Sequence, residues 1–499
     1  MSLLGIDVGT SGCKAAAFCA EGRCLAAAYR EYATIQPQPG QAQLDSRDVL
    51  DKVFETIAEV AGQVGSDPIT ALCVSSMGEA VTPVSAEREI LDGCILSSDT
   101  RGEQYVQDLA AQLDPQELYR INPNIPGVQY SMPKLCWVRD NQPDIYARAD
   151  KFLLWGDLVG FMLGGEPITS LSHASRTLLL DVQAEDWSDT LLGLSGIDRA
   201  KLPRPAGSGT LAGTVSPDMA RRLGLGDGVK IVVGGHDQCC NALGAGIHQA
   251  GRAVCGIGTF ECITPVYDHI PDAAAMLAAG LNVEHHVLDG LYVSFLYNQA
   301  GCLVRWFRDT FAAADRQLLP DGADIYDALA AEMPPQPTRL LVLPYFEITG
   351  PPGFVADASG AIVGLRTSTT RGEILKAIME SETFYFIELL DSLKVVNVEA
   401  SGFVATGGGA RSDAWLQIKA DILGVPFIRP QNTECSLAGA AILAGLGTDV
   451  YASPAEACER FFQVDRVFEP DPARHEVYRQ RYGNYALLYP NMAELLGKL

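Results

Sequence analysis

The sequence predicts an α/β protein built as two related halves around a cleft. Three observations carry the prediction. The chain has 499 residues, too many for one ordinary core, so at least two domains of roughly 150–250 residues are expected. Short apolar runs rich in β-formers end in glycine turns both at the start and near the middle. Helical periodicity fills windows between such runs. With 47% hydrophobic and 20% charged residues, the composition is globular and excludes a disordered, collagen-like or coiled-coil chain.

The first element is the run Leu3-Leu4-Gly5-Ile6-Asp7-Val8, which ends in Gly9-Thr10-Ser11-Gly12. A second run, Lys14-Ala15-Ala16-Ala17-Phe18, follows at hairpin distance, and Glu21-Gly22-Arg23 turns into a third strand. Residues 46–64 read as a helix with an N-terminal cap signal, followed by a strand over 69–74. Another β-rich run, Val229-Lys230-Ile231-Val232-Val233, ends at Gly234-Gly235-His236-Asp237. The glycine-rich passage 244–251 is the expected hinge, which divides the chain into domains 1–246 and 247–499. Beyond it, Ala253-Val254-Cys255-Gly256-Ile257-Gly258-Thr259 again puts Gly-Thr at the end of an apolar run. Residues 371–394 form a helical window that is apolar around most of its circumference, the mark of a helix buried between layers. Phe403-Val404-Ala405-Thr406 then runs into Gly407-Gly408-Gly409, with a helix expected over 413–423.

Charge narrows the partners. Lys and Arg number 37 against 61 Asp and Glu, a net charge of −24. That balance argues against nucleic acid and anionic membranes as partners, because such affinity comes from clustered cations. The N-terminus lacks the basic start and apolar run of a signal peptide, and no apolar stretch reaches the ~18–20 residues of a spanning helix. Thirteen cysteines, none spaced C-x-x-C, read as reduced, buried thiols of a cytoplasmic protein.

The residues that could carry chemistry sit at the ends of the apolar runs. A turn of Gly, Thr and Ser after Asp7 can aim backbone N–H groups and hydroxyls at phosphate oxygens, and an aspartate beside it suits Mg²⁺; a plain tight turn would look similar. Neither G-x-x-x-x-G-K-[ST] nor G-x-G-x-x-G occurs. Gly258-Thr259 is a second such turn. Gly407-Gly408-Gly409, expected between a strand and a helix, would let backbone approach a flat ring or a phosphate closely. Asp237, after a strand and two glycines, could take a proton from an attacking hydroxyl, or could cap the helix that follows.

From Gly5 to about Gly447 the chain resembles the FGGY-family carbohydrate kinases of the sugar kinase/Hsp70/actin superfamily. Asp7-Val-Gly-Thr-Ser-Gly-Cys-Lys14 resembles the family's first phosphate motif. Ser131-Met-Pro-Lys134-Leu-Cys-Trp137-Val-Arg-Asp140-Asn141 is similar to one signature, departing at Gln129. The stretch from Gly360 to Glu380 resembles the second signature, and Ser436-Leu-Ala-Gly-Ala-Ala441 the second connecting helix. The resemblance implies two ribonuclease H-like (actin-like ATPase) domains, ATP and Mg²⁺ as cofactors, and phosphoryl transfer to a terminal primary hydroxyl of a small ketose or polyol of the xylulose, ribulose, deoxy-ketose, glycerol or erythritol class. It implies Asp237 as catalytic base, Asp7 and Asp237 at the metal, and Asp7, Thr10, Ser11, Lys14, Gly258, Thr259, Gly407, Gly408 and Gly409 at the nucleotide. A homodimer is implied as well.

For the sugar, Gly78 and Glu79 stand where glycerol kinases carry Arg-Glu and xylulokinases Met-His. Glu79 is expected to accept sugar hydroxyls, with Gly78 leaving room for a larger sugar. Asp99 belongs to an Asp-x-Arg element whose preceding Trp is replaced by Ser97, and Gln238 follows the base. His236 resembles deoxy-ketose kinases more than xylulokinases. A regulatory ATPase on the same fold, or a sugar-sensing non-enzyme, are the competing classes. The hydroxyl-binding candidates speak against the first, and the retained Asp237 and phosphate turns against the second.

Overall fold

The computed structural model describes residues 1–320, 322–347, 349–355 and 358–498, without the side chain of Gln317. Two sheets organise it. The first contains β1 (Ser2–Val8), β2 (Gly12–Cys19), β3 (Cys24–Glu31), β4 (Ile69–Ser76), β5 (Leu211–Thr214) and β6 (Lys230–His236), in the spatial order β5-β6-β4-β1-β2-β3. The second contains β7 (Arg252–Ile257), β8 (Phe260–Tyr267), β9 (Glu284–His285), β10 (Tyr292–Val293), β11 (Leu296–Gln299), β12 (Phe403–Thr406), β13 (Phe427–Pro430) and β14 (Val464–Phe468), in the order β9-β10-β8-β7-β12-β13-β14, with β11 also on β8.

The halves repeat one plan. An antiparallel hairpin, β1–β2 or β7–β8, extends into two parallel strands, β4 and β6 or β12 and β13, closed by an antiparallel strand, β5 or β14. Crossovers to parallel strands need intervening helices. The first is α1 (Ser46–Gln63), whose N-cap Asp45 accepts from the Arg47 and Asp48 amides and whose apolar residues pack into the first core. The expected 46–64 helix is therefore present.

Five more helices matter for the site: α2 (Leu171–Ser175), α3 (Asp237–Gly244), α4 (Arg371–Val395), α5 (Asp413–Leu423) and α6 (Cys435–Leu446). α4 starts in a capping box of Thr370 and Glu373 and is buried over most of its length, as its all-round apolar pattern predicts.

The halves meet through α3 and α6. A Cβ on Gly244 would lie 1.9 Å from the Cys435 carbonyl oxygen, and one on Gly439 1.9 Å from that of Cys240. Backbone thus runs against backbone where the helices cross, and only glycine fits. A Cβ on Gly5 of β1 would likewise reach 2.1 Å from the Leu437 carbonyl, so α6 of the second half lies on the first sheet. Their shared core draws on both halves, among them Leu3, Phe18, Leu243, Val254, Val404 and Ile442. The turn after α3 takes positive φ at Gly246 (79°) and Gly251 (95°) before β7 begins.

Candidate functional site

The floor of the cleft is set by strand register. In the first sheet Asp7 lies level with Ser75, and Ser75 level with Gly235; one step on, Ser76 lies level with His236. The C-terminal ends of β1, β4 and β6 therefore deliver Asp7, Ser75 and Asp237 to one edge. Ser75 Oγ donates to Asp7 Oδ1 at 2.8 Å. Asp237 opens α3, with His236 at the N-cap, so the carboxylate stands at the mouth of the helix, its side chain 28% exposed.

Both carboxylates are displaced from their ordinary values by where they stand. Burial raises the Asp7 carboxyl to about 6, opposed by the Ser75 hydrogen bond and by Lys14. Burial, then the charges of Asp7 and Glu79, push Asp237 up to about 7, opposed by the Gln238 amide and Arg176. A carboxylate near pH 7 is poised for general-base work. His236, 3.6 Å from Asp237, is held well below its ordinary value by burial, Arg176 and His173, so it is a neutral neighbour rather than an ion-pair partner.

Two hairpin turns flank this pair. Between β1 and β2 the Gly9 amide donates to the Gly12 carbonyl at 3.0 Å, leaving Thr10 and Ser11 exposed at the tip. Between β7 and β8, Gly258 and Thr259 are exposed as well. Gly407 has φ 80°, and a Cβ there would meet the Ile257 carbonyl at 2.8 Å; Gly408 faces open space; Gly409 packs on Ile257 and Trp415. Two expectations change. The glycine triplet enters a 3₁₀ turn, Gly408–Arg411, and α5 starts only beyond its cap Ser412, so no α-helix N-terminus sits directly on the triplet. Lys14, expected at the nucleotide, pairs with Glu434 at 2.6 Å and ties the first hairpin to the start of α6.

The donor set suits a hard cation that keeps waters and phosphate oxygens as its other ligands: two carboxylates and a hydroxyl. Among the described residues no group of three or more His, Cys, Asp or Glu forms a self-sufficient metal cage.

Beside the acid pair lies a cavity of about 740 Å³, lined by Glu79, Gln129, Tyr130, Arg176, His236 and Gln238 from the first half and Asn282, Phe295 and Tyr297 from the second. Arg176, just after α2, organises it. Its Nε donates to Glu79 Oε1 at 2.6 Å, Nη2 to the same oxygen, and Nη1 to Glu284 Oε1 at 2.6 Å. Its guanidinium lies 5.0 Å from the Tyr130 ring and 5.5 Å from that of Phe295. Asn282 Nδ2 donates to Glu284 Oε1 at 2.7 Å. Glu79 is 8% exposed with φ 57°, a conformation non-glycine residues seldom adopt, and its carbonyl accepts from Ser131 Oγ at 2.6 Å.

Two sugar-binding expectations are corrected. The space freed at Gly78 is filled: a Cβ there would lie 3.0 Å from both Arg176 Cγ and His236 Cδ2, so the glycine admits protein side chains rather than a larger sugar. Asp99 is 0% exposed and its oxygens are engaged, accepting from the Ala42 amide at 2.6 Å, the Arg101 amide at 2.7 Å and Arg101 Nη2 at 2.7 Å. Burial alone would raise its pKa; those donors hold it below the ordinary value. Asp99 is a structural knot behind the cavity, which Ser97 lines instead.

Family models decide the class. The N-terminal domain of the FGGY family of carbohydrate kinases matches residues 2–244, and its C-terminal domain residues 267–448. The chain belongs to the FGGY family of carbohydrate kinases. It is 28% identical over 497 residues to a xylulose kinase of Bacillus subtilis, covering 99% of this chain and 97% of that one. It is 28% identical over 517 residues to an autoinducer-2 kinase of Escherichia coli K12, covering 99% and 95%. Among solved structures, xylulose kinase from Rhodospirillum rubrum superposes with a TM-score of 0.88 at 26% identity over 100% of both chains. This FGGY kinase thus has the family's two-domain actin-like ATPase fold, and it is an ATP-using phosphotransferase with an alcohol group of a small sugar as acceptor. Among the described residues no helix is long and apolar enough to cross a membrane.

Sequence reasoning missed Arg176, Glu284 and Asn282. A signal existed for the first: Arg176 is a lone cation in the otherwise uncharged stretch 167–180, and a charge among apolar neighbours is buried only where partners await it. For Glu284 the cationic partner comes from the other half, and Asn282 matters through Glu284, which no local pattern encodes.

Proposed function

We propose that this FGGY kinase transfers the γ-phosphoryl of ATP to a terminal primary hydroxyl of a small ketose or polyol, with Asp237 as general base. The observation that carries the reading is a carboxylate raised to about 7 at the start of α3, between His236 and Gln238, both of which line the polar cavity. Asp237 takes the hydroxyl proton as the oxygen attacks. Thr10, Ser11, Gly258 and Thr259 hold phosphates, and Gly407–Gly409 hold the adenosine, with Gly408 offering open backbone. Asp7, fixed by Ser75, is the carboxylate for Mg²⁺, which when bound neutralises charge on the phosphates. Glu79 and Gln238 receive the sugar hydroxyls. The division into domains 1–246 and 247–499 is supported by the strands, those of the first sheet lying within residues 2–236 and those of the second within 252–468.

Relatives named for xylulose and autoinducer-2 support a linear or short-chain ketose-like acceptor. Thirteen free cysteines support a reducing compartment, the cytoplasm. The test is ADP release by the wild type and Asp237→Asn across a panel of ketoses, polyols and sugar acids. Sugar-dependent turnover lost in the variant supports the reading, and sugar-independent ATP hydrolysis refutes it.

A further inference from the structure

We infer that the Glu79–Arg176–Glu284 triad makes this site selective for neutral polyhydroxylated acceptors and against carboxylated ones, with Arg176 as the residue that sets the balance; the inference rests on the sugar-kinase reading above. An arginine in a sugar cavity would ordinarily attract an anionic substrate, because its planar fork matches a carboxylate. Here the fork is already occupied. Nε and Nη2 both donate to Glu79 Oε1, and Nη1 donates to Glu284 Oε1 at 2.6 Å. Rings cover the guanidinium at 5.0 Å (Tyr130) and 5.5 Å (Phe295).

Two carboxylates on one cation leave the triad with a net charge of −1, and the other charged group lining the cavity, Glu103, is also acidic. A substrate carboxylate would meet like charge with no free cation to receive it. A neutral polyol meets an acceptor instead. Glu79 Oε2 has no hydrogen-bond partner among the described residues, and it is not sealed from the cavity that Glu79 lines. Arg176 thereby holds one oxygen of Glu79 and leaves the other for a hydroxyl.

The arrangement is built into the backbone. Gly78 lets the Arg176 stem pass, since a Cβ there would sit 3.0 Å from Arg176 Cγ. Glu284 comes from β9 at the edge of the second sheet, while Arg176 and Glu79 belong to the first half. The triad therefore spans the two halves at the sugar end of the cleft.

The test exploits the sign of the charge. Glu79→Gln keeps the shape, removes one negative charge and weakens the claim on the guanidinium. Glu284→Gln does the same from behind, at a residue that does not line the cavity. Wild type and both variants are assayed by coupled ADP release with the preferred ketose or polyol, and with the aldonate of equal carbon number as its sodium salt. In either variant the kcat/KM ratio of aldonate to neutral substrate is expected to rise at least tenfold, with the KM for ATP within twofold of wild type. A partial loss of active enzyme lowers both substrates together and cannot by itself produce the rise. Ratios within twofold of wild type in both variants overturn the inference alone. A wild type that turns over ATP with no sugar in the panel overturns the kinase reading and this inference with it.

Discussion

Asp237→Asn should separate chemistry from stability in opposite directions. The wild-type carboxyl is raised from its ordinary value near 3.8 to about 7, by burial first and then by the charges of Asp7 and Glu79. The folded state thus holds this proton more tightly than the unfolded chain does. Its stabilising contribution is fully present below pH 3.8 and is lost as pH rises through 7. At about 1.4 kcal/mol per pH unit the full shift corresponds to roughly 4 kcal/mol. Because the side chain is 28% exposed, about 2 kcal/mol is the better expectation. Asparagine does not ionise, so the variant should melt above wild type at pH 8, and the difference should vanish near pH 4. Activity should move the other way: kcat falls about 10²–10⁴-fold with loss of the general base. In the wild type, kcat/KM for the sugar, which reports groups of the free enzyme, should rise with pH through an apparent pKa near 7. Melting scans at the two pH values, with steady-state rates from pH 5 to 9, check this. A variant with near wild-type kcat, or an acid limb centred below pH 5, would refute the assignment.

Further outcomes follow from single contacts. Gly408→Val should weaken ATP binding at least tenfold by calorimetry while the protein keeps its melting temperature, because a Cβ there meets open space in the fold but stands where adenosine is placed. Glu79→Ala should raise the KM for the best sugar about tenfold, with ATP little affected, since a hydrogen bond to a charged group is worth roughly 1.5–3 kcal/mol. Gly439→Val should collapse the α3–α6 crossing, its Cβ falling 1.9 Å from the Cys240 carbonyl, and soluble yield should drop sharply. Asp99→Asn should cost about 3–5 kcal/mol in urea unfolding, as expected for breaking a buried charge pair beside Arg101 and Lys134, without a selective change in sugar KM.

Much of the plan was legible because the fold repeats strong local signals. Hairpin turns at Gly9–Gly12 and Gly258–Thr259, the capped helix after Asp45 and the buried helix after Thr370 each announce themselves within about twenty residues. The sugar end was misread for the opposite reason. Gly78 and Asp99 have meaning only through what packs on them: Arg176 lies nearly a hundred residues beyond Gly78, and the Ala42 amide is 57 residues from Asp99. A glycine in sequence states that a side chain is missing, and folding decides whether ligand or protein fills the place. A carboxylate states that partners are needed, and only the fold tells whether they are hydroxyls of a substrate or amides of the chain.

Asp237 and the crossing between the halves share one short helix, and this links the site's electrostatics to its architecture. α3 begins at Asp237 and ends at Gly244, where its backbone meets that of α6. The same helix that presents Asp237 therefore anchors the crossing between the halves. Small residues make this possible: Cys240 and Gly244 face Cys435 and Gly439, so the helices approach too closely for larger side chains at the crossing. Directional contacts tie the halves at several points, among them Lys14 to Glu434, Arg176 to Glu284, Asn241 Nδ2 donating to Thr406 Oγ1 at 3.1 Å, the Val283 amide donating to the Pro123 carbonyl at 2.8 Å and the Tyr451 hydroxyl donating to the Ala20 carbonyl at 2.9 Å. A close glycine crossing with polar contacts around it thus fixes α3, and with it Asp237, against both sheets.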